Sequence, residues 1–186
     1  MYKKIINEYI PKCEQEQMDK KAMMDFISKN GDALSRDNLI AHVTSSAFVV
    51  NKDFTKVLFI YHLIFKSWSW IGGHNDNDPD CLGVAIKETK EETGLKEVSV
   101  VLDEPIMLDN IYVGTHIKNG KYVPDHLHLN VTYLLMADED EELFIKHDEN
   151  SGVKWFLLDD ILNVCSEERM KPIYTKAINI IKKFRK

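Results

Sequence analysis

The chain has 186 residues, of which 44% are hydrophobic and 29% are charged, a size and balance that predict one globular domain and argue against a second. Its formal net charge of −6, without a long basic run, does not indicate a nucleic-acid surface, and no apolar run is long enough for a signal peptide or membrane span. Three separated cysteines form no CxxC pair, which argues against a zinc site and fits a reducing compartment, so we expect a cytoplasmic protein.

The first 40 residues are predicted to form a helical extension that precedes the main fold. Apolar residues recur at helical spacing in two segments, which are separated at Pro11, and the second segment ends at Asn30-Gly31. We therefore divide the chain into an N-terminal helical extension, residues 1–40, and a main domain, residues 41–186.

From His42 onward the pattern changes to extended runs. Two of them, separated by a polar turn, predict a β-hairpin with strands at 42–50 and 56–62. Further strands are predicted at 98–102, 106–116, 126–136 and 153–158. An apolar stripe at helical spacing, which begins at Met170, predicts that the chain ends in an amphipathic helix.

Three glutamates share one side of a helix that is predicted in the middle of the chain. Residues three and four apart are neighbours on a helix, so Glu88 lies next to both Glu91 and Glu92. Like charges at that spacing repel, and their pKa values rise unless a cation neutralises them. Mg²⁺ or Mn²⁺, which take oxygen ligands, would supply that charge. The alternative is a solvated acidic helix face.

Glycines frame this helix on both sides. Gly72 and Gly73 end an extended run before it, and Gly94 follows it as a predicted C-cap. Asp78 and Pro79 are predicted to start the helix as its N-cap and first residue. A strand, a glycine loop and a helix in this order are typical of a phosphate site.

The stretch from Gly73 to Leu95 resembles the Nudix box, G-x5-E-x7-REUxEExGU, where U is a bulky aliphatic residue. The matching positions are Gly73, Glu88, Glu91, Glu92, Gly94 and Leu95. Pro79 replaces the first box glutamate, Lys87 the arginine and Thr89 an aliphatic residue. In the family that arginine and glutamate brace the loop against the helix. We expect Lys87 to pair instead with Asp78 or Asp80.

The resemblance extends beyond the box, over roughly residues 41–186. The box opens with the tripeptide Gly-Gly-His, which ends at His74, as in a bacterial subset of the family. In that subset an aspartate often stands where other members have a glutamate, and Asp76 would be that aspartate. The resemblance implies an α/β Nudix fold, a three-layer α/β/α sandwich around a mixed β-sheet, preceded here by the N-terminal helical extension.

The function implied by the resemblance is hydrolysis of a pyrophosphate bond in a nucleoside diphosphate that is linked to another group. Water attacks phosphorus with help from Mg²⁺ or Mn²⁺. The implied metal ligands are Glu88, Glu91, Glu92 and the Gly72 carbonyl. The implied catalytic carboxylates are Glu88, Glu91 and Glu149, with Glu88 the first choice and Glu149 the second for the group that activates the water. Glu149 has the alternative reading of a solvated loop acid.

Three histidines are candidates for substrate contact. His74 follows the glycine pair, where it either reaches the substrate or stabilises the loop. His126 and His128 alternate with leucines, so both point to one face of their strand, either toward a substrate cleft or into structural hydrogen bonds. The partner implied is a small nucleotide-type diphosphate, and homodimers are common in the family.

Two other functions are compatible with the same fold. An isopentenyl diphosphate isomerase needs a loop cysteine as its acid or base, whereas Cys81 falls in the first turn of the predicted helix. A nucleotide-sensing module keeps the fold without cleavage. Such modules usually lose a box glutamate, and this chain keeps three, although Lys87 and Pro79 depart from the box.

Overall fold

The computed structural model describes residues 1–118 and 120–185; positions 119 and 186 of the predicted main domain lie outside the described part. In chain order the elements are α1 (Tyr2–Glu8), α2 (Glu14–Lys29), β1 (Ala41–Val50), β2 (Lys56–His62), β3 (Ser67–Ser69), β4 (Ile71–His74), α3 (Cys81–Thr93), β5 (Ser99–Val100), β6 (Met107–Val113), β7 (His116–Lys118), β8 (Lys121–Val123), β9 (His126–Met136), β10 (Asn150–Leu157), α4 (Ile161–Val164) and α5 (Lys171–Ile181).

Eight of the strands form one mixed sheet around β1. Its main path runs β10-β2-β1-β9-β5, with β3 paired to β2, β4 to β1 and β6 to β9. The β1 and β9 strands pair in parallel along the whole of β1, and the other pairs are antiparallel. Every residue of β1 is buried, because the sheet is covered on both faces. The β7 and β8 strands form a separate hairpin.

Side chains alternate along β1 between two hydrophobic clusters. Val43 and Val49 join the cluster that contains buried residues of α1, α2 and α3. Phe48 and Val50 join the second cluster, which contains the apolar stripe of α5. Helices therefore cover both faces of a mixed sheet, which confirms the predicted three-layer α/β/α class. None of the helices in the described residues combines the length and apolar character that a membrane crossing needs.

The N-terminal helices share the core of the main fold. Ile6 of α1 and Met23 of α2 are fully buried in the same cluster as the sheet residues. A buried ion pair adds a polar link, because Lys176 of α5 lies 2.9 Å from Glu16 of α2 and 2.7 Å from Asp109 of β6. The division of the chain at residue 40 remains a prediction.

Most predicted strands form within a few residues of their expected bounds, with two differences. The strand predicted at 98–102 is only Ser99–Val100, because the chain bends at residue 101, whose amide still donates to the Leu134 carbonyl of β9 at 3.0 Å. The strand predicted at 106–116 ends at Val113. Beyond it, the Thr115 amide donates to the Asp125 carboxylate at 2.5 Å, and the chain enters the β7–β8 hairpin.

The predicted start of α3 is wrong by two residues. The N-cap is Asp80, whose carboxylate accepts from the Gly83 amide at 3.1 Å. The Asp78 carboxylate instead accepts from the Asp80 amide at 2.9 Å and closes a turn that follows two positive-φ residues, Asp76 and Asn77. At the other end, Gly94 has a left-handed φ of 78°, which confirms the predicted C-cap.

Candidate active site

A cavity of about 540 Å³ lies beside α3, where polar residues of β1, β4 and β9 face the same space. Its size is that of a small-molecule site. Carboxylates of α3 and of the loop before β10 line it together with a group of histidines: Glu88, Glu91, Glu92, Glu149, His42, His74, His126 and His128. The predicted site residues therefore meet in one place.

Three carboxylates converge in this cavity. Oxygen atoms of Glu88, Glu92 and Glu149 all lie within 4.8 Å of one another. The first two are one turn apart on α3, and Glu149 is brought to them by the segment that leads into β10. The next residue, Asn150, fixes this approach, because its side-chain amide donates to the Glu92 carbonyl at 3.0 Å. We call these three residues the carboxylate cluster.

The electrostatics of the carboxylate cluster favour a bound cation. Burial, assisted by the charges of Glu88 and Glu149, raises the pKa of Glu92 to about 8, although the Gly72 amide donates to it at 3.2 Å. Burial also raises the pKa of Glu88. Crowded, partly desolvated carboxylates are oxygen ligands that match a hard divalent ion such as Mg²⁺ or Mn²⁺.

Glu91 stands at the rim of the cavity rather than inside the carboxylate cluster. Its side chain is 44% exposed and lies 3.5 Å from the Lys146 ammonium and 3.8 Å from that of Lys87. Lys146 also contacts Glu149 at 3.0 Å. The predicted pairing of Lys87 with Asp78 or Asp80 is wrong, because the Lys87 ammonium lies instead 3.9 Å from Glu88 and 3.8 Å from Glu91.

The glycine pair lets the β4 backbone approach the acids. A Cβ atom on Gly73 would overlap the Glu88 carboxyl carbon and lie 2.7 Å from its Oε2. The Gly72 amide contacts Glu92, as described above. The Gly72 carbonyl remains a predicted metal ligand.

Four histidine rings pack together in the same cavity. His42 lies with its ring centroid 4.9 Å from those of His74 and His126 and 5.1 Å from that of His128. His126 and His128 face the same side of β9, as predicted, with their Nε2 atoms 3.2 Å apart. We call these four residues the imidazole cluster.

Sequence reasoning missed His42. It lies directly opposite His128 in the parallel β1–β9 register, and His74 pairs with Thr44 two residues further along β1. The available signal was a shared polar alternation: His42-x-Thr44-x-Ser46 on one strand and His126-x-His128-x-Asn130 on the other. Those two patterns could be placed side by side only by knowing that the strands pair.

Asp76, the candidate for the aspartate of the Gly-Gly-His subset, pairs with a residue from outside the box. The Arg36 Nε atom donates to its Oδ1 at 2.7 Å, and a second contact of the guanidinium completes a two-point ion pair. Both residues line the cavity. The segment before β1 therefore helps to fix the loop that precedes α3.

Cys81 does not take part in the cavity. Its thiol is fully buried at the first residue of α3, and burial raises its pKa. A cysteine in this position cannot serve as the solvent-reachable acid or base that isomerase chemistry needs.

Comparison with known proteins gives a family and several related folds. The sequence model of the NUDIX domain matches residues 41–177. An Ap4A hydrolase from C. elegans in a binary complex has a TM-score of 0.56 at 18% identity, over 76% of this chain and 98% of that one. A NUDIX-family hydrolase from Clostridium perfringens has a TM-score of 0.50 at 25% identity, over 75% of this chain and 97% of that one.

A third solved structure, the E. coli dihydroneopterin triphosphate pyrophosphohydrolase, has a TM-score of 0.52 at 12% identity, over 77% of this chain and 94% of that one. No curated protein matches the chain. The matched NUDIX stretch covers most of the sequence and includes the glycine pair and the box glutamates. The chain therefore belongs to the Nudix family.

Proposed function

We propose that the protein is a pyrophosphohydrolase that uses Mg²⁺ or Mn²⁺ to cleave the phosphoanhydride bond of a nucleoside diphosphate linked to another group. The observation that carries this proposal is the convergence of Glu88, Glu92 and Glu149 in one cavity. Family membership and the pyrophosphohydrolase among the similar structures support the reaction class.

The proposed metal ligands are Glu88, Glu91, Glu92 and the Gly72 carbonyl. When bound, a divalent ion neutralises the charge that builds on phosphate oxygens during hydrolysis. The Gly72 amide orients Glu92 toward the cavity. Glu91 belongs to this set because it matches a box glutamate, and it lies at the rim of the same cavity, where Lys146 contacts it at 3.5 Å.

Glu88 is the proposed base that accepts a proton from the attacking water. Its side chain is 13% exposed, and burial raises its pKa, which brings a carboxylate closer to the range where proton transfer is efficient. Glu149 is the second choice, because its Oε2 is already engaged by the Lys146 ammonium at 3.0 Å.

The histidines are proposed to contact the rest of the substrate. Burial lowers the pKa of His74 and His128, so both are neutral at pH 7 and offer one donor and one acceptor rather than charge. With His126 they line the same cavity as the carboxylates. This surface suits a small nucleotide-type ligand. A homodimer, which is common in the family, is one assembly compatible with the proposal.

We further propose that the protein belongs to the subset whose box opens with Gly-Gly-His and that it acts in the cytoplasm. Gly72, Gly73 and His74 all line the cavity, which supports the first proposal. Free thiols at Cys13, Cys81 and Cys165, a usage typical of a reducing compartment, support the second.

Hydrolysis of a substrate panel tests the proposed reaction. Purified protein is incubated with nucleotides, nucleotide sugars and dinucleotides, with Mg²⁺, with Mn²⁺ or with a chelator, beside a Glu88→Gln variant. We expect metal-dependent release of phosphorylated products and a loss of at least about a hundredfold in the variant. Turnover that survives the chelator, or that is equal in the variant, would contradict the proposal.

A nucleotide-sensing module is the second candidate function. The observation that favours it is Lys146, which already neutralises Glu91 and Glu149 from within the chain. No turnover across the panel, together with a nucleotide that raises the melting temperature, would favour sensing.

A further inference from the structure

The imidazole cluster, His42, His74, His126 and His128, has the donor spacing of a metal site. Ligand nitrogens of His42, His74 and His128 all lie within 4.8 Å of one another. The Nε2 atoms of His126 and His128 are 3.2 Å apart. In the structure this contact is a hydrogen bond between the two rings, and two nitrogens bound to one tetrahedral Zn²⁺ at 2.0–2.1 Å would stand at a similar separation, about 3.3 Å.

Hydrogen bonds fix the tautomers of two of these rings. The Nδ1 atoms of His42 and His126 lie 3.0 and 2.8 Å from the carbonyl oxygens of Asn38 and Pro124. A carbonyl can only accept, so each Nδ1 carries the hydrogen, and each Nε2 of the neutral ring keeps its lone pair. Metal-binding histidines typically show this arrangement, in which the second nitrogen donates to a backbone carbonyl.

The Nε2 atom of His42 is a buried hydrogen-bond acceptor that is left unsatisfied. It has no hydrogen-bond partner among residues 1–118 and 120–185, and the His42 residue is 3% exposed. A buried acceptor left unsatisfied costs free energy. A cation held by the imidazole cluster would satisfy it.

The chemistry of the donor atoms sets the class of ion. Imidazole suits zinc and similar transition ions, whereas Mg²⁺ prefers oxygen. Arg36 and Lys118 are cations that line the same cavity, and the ion pair of Arg36 with Asp76 compensates its charge.

We propose that the imidazole cluster is a second metal site, for Zn²⁺ or a transition ion of similar preference, in the same cavity as the carboxylate cluster. Imidazole ligands carry no negative charge, so they leave the charge of the ion uncompensated, and the site would attract an anionic group of a ligand in the cavity. The cysteine count argued against zinc, but the histidines supply its ligands without a thiolate. The site does not depend on the proposed hydrolase activity.

Zinc titration of metal-free protein tests the proposal. Isothermal titration calorimetry is run with ZnCl₂ on the wild type, His42→Asn and His128→Asn. The control is His147→Asn, an exposed histidine outside the cluster, and Glu92→Gln reports whether the ion binds the carboxylate cluster instead. We expect a Kd at least about a hundredfold weaker in the first two variants and unchanged in His147→Asn.

The opposite pattern would overturn the proposal. If Glu92→Gln loses the zinc while the cluster variants keep it, the ion binds the carboxylates. Equal binding in all five proteins would place the ion elsewhere.

X-ray absorption on the zinc-loaded wild type gives a test that does not need a folded variant. We expect a nitrogen shell at about 2.0 Å with the multiple scattering of imidazole rings. An oxygen shell without imidazole scattering would refute the site. Magnesium-dependent hydrolysis without zinc binding would remove only this inference, whereas zinc binding without hydrolysis would remove only the proposed function.

Discussion

At the residue scale, the site depends on two glycines that bring backbone against acidic side chains. Gly73 has no positive φ, so a side chain is excluded there by Glu88 rather than by backbone strain. The box acids could be predicted from sequence because their helical spacing is local. The position of Glu91 outside the carboxylate cluster could not be predicted from sequence, because Lys146 reaches it from a distant loop.

Gly73→Ala should displace Glu88 and lower the hydrolysis rate at least about tenfold while the protein stays folded, because the new Cβ overlaps the carboxylate. The matched control is Gly31→Ala, whose Cβ would meet nothing within 4 Å. We expect the control to keep the rate and to change the free energy of unfolding by less than about 0.5 kcal/mol. Equal rates in both variants would show that the contact is unimportant.

Glu92 should make the metal-free protein less stable as the pH rises. Its folded pKa of about 8 lies above the ordinary value of 4.5, so the folded state holds a proton that the unfolded state has lost between these values. The stabilisation from protonated Glu92 is complete below about pH 4.5 and is lost as the pH rises through about 8. The free energy of unfolding falls by at most about 5 kcal/mol over this range.

Glu92→Gln stays neutral and isolates this effect. We expect the difference in the free energy of unfolding, variant minus wild type, to grow from pH 5 to pH 8 in the presence of a chelator. Urea denaturation at each pH measures it. A difference that does not change with pH would show that Glu92 titrates normally.

At the element scale, a buried polar network joins α2, β6 and α5. Glu16 is fully buried and accepts from the Tyr9 hydroxyl at 2.8 Å, and Lys176 lies between Glu16 and Asp109. The bounds of these elements follow from apolar periodicity, so they could be predicted. The network itself could not be predicted, because the three elements that form it lie far apart along the chain.

Lys176→Met should destabilise the protein by about 3–5 kcal/mol, because it leaves two buried carboxylates without their cation. The same substitution at Lys29 removes an exposed ion pair with Asp25 and should cost less than about 1 kcal/mol. Thermal and urea unfolding of both variants measures the difference. A loss of similar size in both would indicate that the buried network contributes little.

At the scale of the whole molecule, the parallel pairing of β1 with β9 assembles the cavity. Residues 42 and 128 become neighbours only because the two strands are in register, with β4 beside β1. The layered fold follows from the order of helical and extended patterns and from the box. The position of His42 and the Arg36–Asp76 pair depend on contacts between distant segments, so neither could be predicted from sequence.

The central claim is that the carboxylate cluster supports metal-dependent hydrolysis. The most direct test is the rate against Mg²⁺ concentration for the wild type, Glu92→Gln and the exposed control Glu104→Gln, with the best substrate of the panel. We predict that Glu92→Gln loses at least about a hundredfold in rate or requires far more Mg²⁺, and that the control matches the wild type. Identical magnesium curves for all three proteins would contradict the account.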